Sequence, residues 1–427
     1  MNSKKLFGAR KSHDVIVVGG GVAGVASALA ARRLGASVLL LEKRCELGGL
    51  ATAGLVNLFV PLCNGRGIPI MRGMAEEFLR SSVKFGFDSL NEAWKDGVPE
   101  ETTNLRYATF FSAKIFALQM VEMLAAEGVD FLFEATVADV ELKGGRCTGV
   151  SVLCEEGMNF FPGKAVVDAS GSSLVFHRAG AETELGKNYF SYHAHSISLE
   201  GCACAVERGN IRYALNWQQG GEANLYGKNH PEGMRLFYGD TSENITDYLV
   251  ANQLRLLEKL KATPRLSRTP VALPSMPQLR TIRRIIGEYT LTNADIYRHF
   301  DDSVTALCDS ERRDSLYEIP YRSLYDHRFP NLIAAGRNIA SAGYLWDVTR
   351  VIPPAIVTGQ AAGTAAAMAV CAGCSIPALP VEKLQQELAR QQVLIHFEDM
   401  WIPRERTAGE YSPARQSDPD RQKESAR

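Results

Sequence analysis

Apolar residues first fall into a short run, His13-Asp14-Val15-Ile16-Val17-Val18, which predicts a strand buried on both faces. Ala23 to Leu34 then sets small apolar residues at helical spacing, and Gly35 ends that helix. Ser37 to Leu41 is a second apolar run, closed by Glu42, so the three pieces form a β-α-β unit of a parallel sheet. Met74 to Phe85 and Lys114 to Glu127 read as helices. Asp130 to Leu142 and Cys147 to Leu153 alternate like strands about a Lys143-Gly144-Gly145 turn, and Ala165 to Asp168 is another buried strand. From Glu184 to Ile319 the pattern changes to more aromatic, His and Arg positions, with helix around Asn244 to Ala262. Leu332 to Ala335 and Pro353 to Ala372 resume the earlier style as a strand and a long helix. The expected organisation is a discontinuous α/β unit, 12–183 and 320–395, interrupted by an α+β unit, 184–319. Flexible termini are expected at 1–11 and 407–427.

Composition narrows the function classes. Of 427 residues 46% are hydrophobic, enough for a sizeable core. The 47 basic residues are balanced by 48 acidic ones, so no basic field exists to neutralise a run of phosphates, and no nucleic-acid partner is expected. Nine scattered cysteines, an odd count in a large chain, suit reduced thiols and a cytoplasmic setting. The N-terminal stretch lacks the uninterrupted apolar region of a secretory signal. Val351 to Ala378 carries no charge and holds a Gly359/Gly363 pair, which imitates a membrane span. It is Ala- and Gly-rich and bounded by prolines, so a helix buried in protein is expected, with no span.

The turn between the first strand and helix is Gly19-Gly20-Gly21-Val22-Ala23-Gly24. Gly19 permits the tight turn, Gly21 lets the backbone approach a diphosphate, and Gly24 lets helix and strand pack closely. The helix N-terminus adds free N–H groups and partial positive charge. Glu42, ending the next strand, is placed to accept hydrogen bonds from ribose hydroxyls, and it disfavours a 2′-phosphate. NAD satisfies all of this equally well. Further along come Gly48-Gly49 with Thr52, the strand end Val166-Val167-Asp168-Ala169-Ser170-Gly171, and Asn331 to Asn338 with Gly359-Gln360-Ala361-Ala362-Gly363 on the helix beyond.

These features together resemble the FAD-dependent oxidoreductases with a glutathione-reductase-type Rossmann domain, allied to the fumarate reductase and succinate dehydrogenase flavoproteins, over roughly residues 12–395. The resemblance implies an α/β Rossmann-type FAD-binding domain with an inserted α+β substrate domain, and FAD as cofactor. It places Gly19, Gly21, Val22, Ala23, Gly24, Glu42, Lys43, Gly48, Gly49 and Thr52 at the ADP half, with main-chain groups of the Val137 strand toward the adenine. Ala169, Ser170, Gly171, Gly336, Arg337, Pro353, Ala355 and Ile356 fall at the remaining contacts. The chain departs from many relatives in carrying Arg337-Asn338 where they have an acid, and in lacking a histidine between Ala340 and Arg350. Asn338 is still able to bond a ribityl hydroxyl or phosphate.

Candidates for the chemistry follow from what a flavin leaves to the protein, namely orienting a C–H bond and handling a proton. Arg350 is placed to clamp a substrate oxygen, or else to pair with Asp347. Tyr344, Trp346 and Asp347 form a polar-aromatic patch beside it. Arg280 to Gly287 reads as a strand on which Arg283 faces opposite to Arg280 and Arg284, with Arg283 favoured as inward. His193 and His195 share a strand face, as a general base with a helper or as ordinary polar histidines. No third ligand follows them, so no metal set is expected. Cys371 and Cys374 sit at the wrong helix end for a redox dithiol, and Cys202 and Cys204 are read at strand spacing. The expected function is dehydrogenation of a small sugar- or carboxylate-type metabolite, with the electron acceptor open. Reduction of an activated double bond, and a non-catalytic FAD-bound scaffold, are the alternatives.

Overall fold

The computed structural model describes residues 11–65, 67–90, 108–312 and 314–403. Of the expected flexible termini, residues 1–10 and 407–427 lie outside the described residues.

A large sheet is built from β1 (His13–Val18), β2 (Val38–Leu41), β3 (Asp130–Leu132), β4 (Thr136–Lys143), β5 (Arg146–Cys154) and β6 (Gly157–Asp168), in the spatial order β3-β2-β1-β6-β5-β4. β12 (Leu332–Ala334) adds in parallel to β6. β3, β2, β1, β6 and β12 pair in parallel, whereas β4, β5 and the first half of β6 pair antiparallel. β6 therefore serves both parts. Residues 157–162 pair with β5, while Gly163 onward pairs with β1 in the register Val18↔Asp168. The sequence reading saw only its last four residues, because only those form an unbroken apolar run. Every residue of β2 is buried, as strands covered on both faces require.

α1 (Val22–Arg33) and α5 (Ile352–Ala372) pack side by side on this sheet. A Cβ on Gly359 would lie 2.3 Å from the Ala23 carbonyl oxygen, and one on Gly363 would lie 2.1 Å from that of Ser27. The GxxxG pair thus serves a helix contact inside the protein, reinforced by Ser27 Oγ donating to the Gly359 carbonyl at 2.8 Å. Among the described residues α5 is the one helix long and apolar enough to cross a membrane, and 78% of its apolar window is buried. Prolines 353 and 354 open it, where absent N–H groups cost little, and Gly373 closes it at φ +64°.

A second, three-stranded sheet sets β7 (Ser191–Ser198) between β8 (Leu215–Glu222) and β9 (Arg268–Ala272), with α3 (Ser242–Lys261) packed on β8. Its own apolar cluster is Phe190, Tyr192, Ala194, Phe237, Tyr248, Leu256, Leu279 and Ile282. Ile285 onward, including the hairpin of β10 (Ser303–Cys308) and β11 (Leu316–Pro320), packs into the first core. Cys202 and Cys204 prove to lie on α2 (Leu199–Arg208), not on a strand. Ser198 caps this helix by accepting from the Gly201 N–H at 3.0 Å, and Gly209 ends it at φ +61°.

Candidate functional site

The C-terminal ends of β1, β2, β6 and β12 meet at one edge, and the first turns of α1 and α5 open there. Gly19 adopts φ +103°, and a Cβ on it would lie 2.5 Å from the Ala169 carbonyl oxygen. A Cβ on Gly24 would lie 1.8 Å from the Gly19 oxygen. Both must be glycine for reasons internal to the protein. Gly21 is different. Its φ is an ordinary −66°, it caps α1, and a Cβ added there meets no protein atom within 4 Å. A bare backbone facing open space at a helix N-terminus is what a diphosphate requires.

The glycine pair folds against this turn. The Gly48 N–H donates to the Gly20 carbonyl at 2.7 Å, and a Cβ on Gly49 would be 3.3 Å from Gly21 Cα. Thr52 Oγ1 donates to the Leu47 carbonyl and so ties the loop down. Glu42 is buried. Its Oε2 accepts from the Gly20 N–H at 2.6 Å and its Oε1 from the Arg44 N–H at 2.9 Å, while burial raises its pKa. Lys43 is exposed next to it. The Ala135 N–H donates to the Glu42 carbonyl at 3.0 Å, which brings the start of β4, with Val137, to the same edge.

On the other side, the Ala169 N–H donates to the Val18 carbonyl at 2.9 Å and the Ala335 N–H to that of Asp168 at 3.0 Å. A Cβ on Gly336 would lie 2.8 Å from the Cβ of Ala23 and 3.7 Å from that of Ala355. Arg337 lies over Gly171, and its Nη1 donates to the Leu279 carbonyl at 2.7 Å. Ser170 donates to Asp168 Oδ1 through both its N–H, at 3.1 Å, and its hydroxyl, at 2.6 Å. Pro353, Ala355 and Ile356 form the first turn of α5, all buried. Asn338 departs from its expected part. It is fully buried; its Nδ2 donates to the Asp168 carbonyl and Oδ1 at 2.8 and 2.9 Å, and its Oδ1 accepts from the Ser173 N–H at 3.1 Å. It clamps two strand ends together, so its amide is not turned to a ligand.

The polar-aromatic patch is the short helix α4 (Tyr344–Thr349) and the residue after it. Arg350 pairs with Asp347, with Nε to Oδ1 at 2.7 Å. Arg280 and Arg337 both feel Arg350. Burial first, then that neighbour, holds each of these two guanidinium groups down to about 10, so both remain cations at neutral pH. Arg280 sits in a bend outside any strand, so the alternation argument did not apply to it. Only Arg283–Ile285 is strand, paired with Thr183–Leu185; Arg284 is the buried member and pairs with Glu184. Arg283, expected inward, lies instead in the field of Asp240 and Arg178.

Asp309 was not singled out from sequence. It is buried, and its Oδ1 accepts the Tyr344 hydroxyl at 2.8 Å, while among the described residues its Oδ2 has no hydrogen-bond partner; burial raises its pKa. Arg312 stands over the Tyr344 ring, 3.8 Å from its centroid. An acid directly after a buried strand, Ser303–Cys308, was the available signal.

His193 and His195 share β7 and are both buried. His193 Nε2 faces the Leu55 carbonyl at 2.9 Å, which requires Nε2–H, and its ring stacks on Trp217. Burial and the nearby Arg280 depress its pKa to about 4. His195 Nε2 faces Asn57 Oδ1 at 3.2 Å, an oxygen that also accepts the Trp217 indole N–H at 3.2 Å. The pair thus docks the loop after the glycine pair onto the second sheet. His195, Asn57 and Trp217 line a cleft of about 390 Å³ together with Phe110, Arg212 and Tyr213. Among the described residues no disulfide forms; Cys371 is exposed and Cys63 buried.

The FAD dependent oxidoreductase family model matches residues 14–204 and 204–388. Digeranylgeranylglycerophospholipid reductase 1 of Methanococcoides burtonii is 24% identical over 222 residues, 47% of this chain and 49% of that protein. NADH:fumarate oxidoreductase of Klebsiella pneumoniae is 25% identical over 203 residues, 40% of this chain and 21% of that one. The chain therefore matches half or less of the length of these curated relatives. A geranylgeranyl bacteriochlorophyll reductase-like structure from Thermoplasma acidophilum aligns with 92% of this chain and 94% of its own, at 14% identity and TM-score 0.43. The open backbone at Gly21, the two helix N-termini at one sheet edge and a family match across most of the sequence agree, and the chain belongs to the FAD dependent oxidoreductases, with FAD as its cofactor.

Proposed function

We propose that this FAD-dependent oxidoreductase dehydrogenates a small polar metabolite bearing a carboxylate. The observation that carries the reading is the set of three cations, Arg280, Arg337 and Arg350, with Asp347 as the carboxylate paired to Arg350. Such a surplus of guanidinium groups beside a cofactor site suits an anionic ligand held by paired N–H donors. FAD, when bound, supplies hydride acceptance at N5. The chain's own residues hold the diphosphate at Gly19 to Gly24, the ribose at Glu42, and the remaining cofactor contacts at Gly48, Gly49, Ala169 to Gly171, Gly336 and Arg337. Arg350 and Arg280 orient the substrate carboxylate. Asp309, whose pKa burial raises, accepts the proton through the Tyr344 hydroxyl, which passes its own proton to Asp309 as it takes the substrate's, with His195 in the neighbouring cleft as the other proton-handling group. The segment with its apolar cluster from Phe190 to Ile282 is the substrate-side unit.

Anaerobic mixing of the purified protein with a panel of hydroxy acids, amino acids and sugar acids tests this. Bleaching of the flavin by a carboxylate, with Arg350→Ala raising the half-saturating concentration at least tenfold at unchanged flavin content, is the expected result. Bleaching by neutral sugars alone overturns it. A second reading, reduction of an activated double bond, draws support from the two curated relatives, since one is named a reductase and the other a fumarate oxidoreductase. Reoxidation of dithionite-reduced protein by an unsaturated acid, with no bleaching by any saturated one, would select it.

A further inference from the structure

The chain segment after residue 390 returns to the β10–β11 hairpin. Glu318, on β11, is fully buried, and its Oε2 accepts from the Phe300 N–H at 2.8 Å. Its Oε1 faces His299 Nδ1 at 2.6 Å and His396 Nδ1 at 3.1 Å. One ligand atom from each of the three residues lies within 4.8 Å of the others. The remaining nitrogen of His299, Nε2, faces Asp399 Oδ1 at 3.1 Å. His299 thus has a carboxylate oxygen against both ring nitrogens, whereas a neutral imidazole has only one N–H to donate. Either the ring carries a second proton or a cation stands at the Nδ1 side.

The cation accounts for more of the arrangement. A buried carboxylate needs a partner charge. Two imidazoles and a carboxylate are the donor set of a zinc-type ion with one open position. Asp399, accepting Nε2–H of His299, fixes the tautomer that leaves a lone pair on Nδ1, as carboxylates behind metal-bound histidines do. The two histidine side chains are 42% and 46% exposed, so solvent reaches the site. A second cluster, Glu288, Asp326 and His327, lacks this logic, because Arg328 already occupies both Asp326 oxygens.

We propose that His299, His396 and Glu318 bind a zinc-class divalent cation that clips the segment around His396 onto the β10–β11 hairpin. The segment is already laid on that hairpin by the Ala306 N–H donating to the Leu394 carbonyl at 2.7 Å and Ser303 Oγ donating to that of Ile395 at 2.6 Å. The ion adds the side-chain tie, through Glu318 on β11, to the hairpin whose other strand, β10, runs on into Asp309. The ligands lie on three separated stretches of chain, so spacing along the sequence does not reveal them.

The test is calorimetric titration of chelator-treated, FAD-loaded protein with zinc chloride alone, with metal content read by mass spectrometry. One equivalent is expected to bind and to raise the unfolding temperature. His299→Ala and His396→Ala each lower the affinity at least a hundredfold, Asp399→Asn lowers it about tenfold, and a Cys371→Ser/Cys374→Ser variant leaves it unchanged. Flavin absorbance confirms that each variant is folded. Absence of zinc binding, binding by either histidine variant as tight as the parent's, or an unfolding temperature that rises on acidification but ignores zinc overturns the proposal.

Discussion

The glycine edge and the arginine face lie side by side, yet they are held together in different ways. At the glycine edge the decisive contacts are between backbones. Gly24 meets the Gly19 carbonyl, Gly48 bonds to Gly20, and Gly336 touches Ala23. Each is satisfied by one residue type at one position, and the strand–turn–helix order brings them together. At the arginine face the contacts are between side chains delivered from separate stretches: Tyr344 with Asp309, Arg280 with Arg350, His195 with Asn57. The first arrangement is fixed by the backbone itself, and the second leaves room for chemistry to vary on a constant frame.

Three experiments sharpen or break that contrast. The largest effect on the fold is expected from Gly24→Ala, whose Cβ would stand 1.8 Å from a backbone oxygen that cannot yield without opening the turn. Denaturant titration should show a loss of about 3–5 kcal/mol. Stability near that of the parent would mean that the edge is softer than a backbone-built site.

Next comes acid. His193 is buried neutral with a pKa of about 4, below the ordinary histidine value, so the unfolded chain binds the extra proton first. Stability contributed by the neutral ring is complete above about pH 6.5 and falls as pH drops toward 4, by about 3 kcal/mol in all. His193→Gln, which keeps an N–H for the Leu55 carbonyl, should flatten this part of the stability–pH curve. An unaltered curve would remove His193 from the account.

The smallest effect on the fold belongs to Gly21→Ala. No protein atom opposes the new methyl group, so the apo protein should change by less than about 1 kcal/mol. Flavin retained through purification should nevertheless fall at least tenfold, read from the absorbance ratio. Equal flavin content in parent and variant would place the diphosphate elsewhere.

Much of the frame was legible in the residues alone. The first strand, turn, helix and second strand, the Lys143-Gly144-Gly145 hairpin and the proline-opened late helix all appear where the pattern put them. Local signals that were misread could have been read better: Ser198 and Gly209 bracket a helix, although Cys202 and Cys204 suggested strand spacing. Other errors had no local remedy. The alternation argument for Arg283 assumed a strand from 280 onward, and the chain bends until 283. Asn338 looked available to a ligand because nothing in the sequence shows that Asp168, 170 residues earlier, ends beside it.

The sequence by itself determined the glycine-built edge at the ends of the parallel strands, because conformational demands on glycine and the periodicity of buried strands are local properties of the chain. Only the tertiary structure decided which polar residues face one another. It brought Asp309 to Tyr344, set three arginines within one field, and turned the histidines of β7 toward the loop after the glycine pair. The physical reason is that charge and hydrogen-bond pairing act through space, between side chains that the order of residues does not place together.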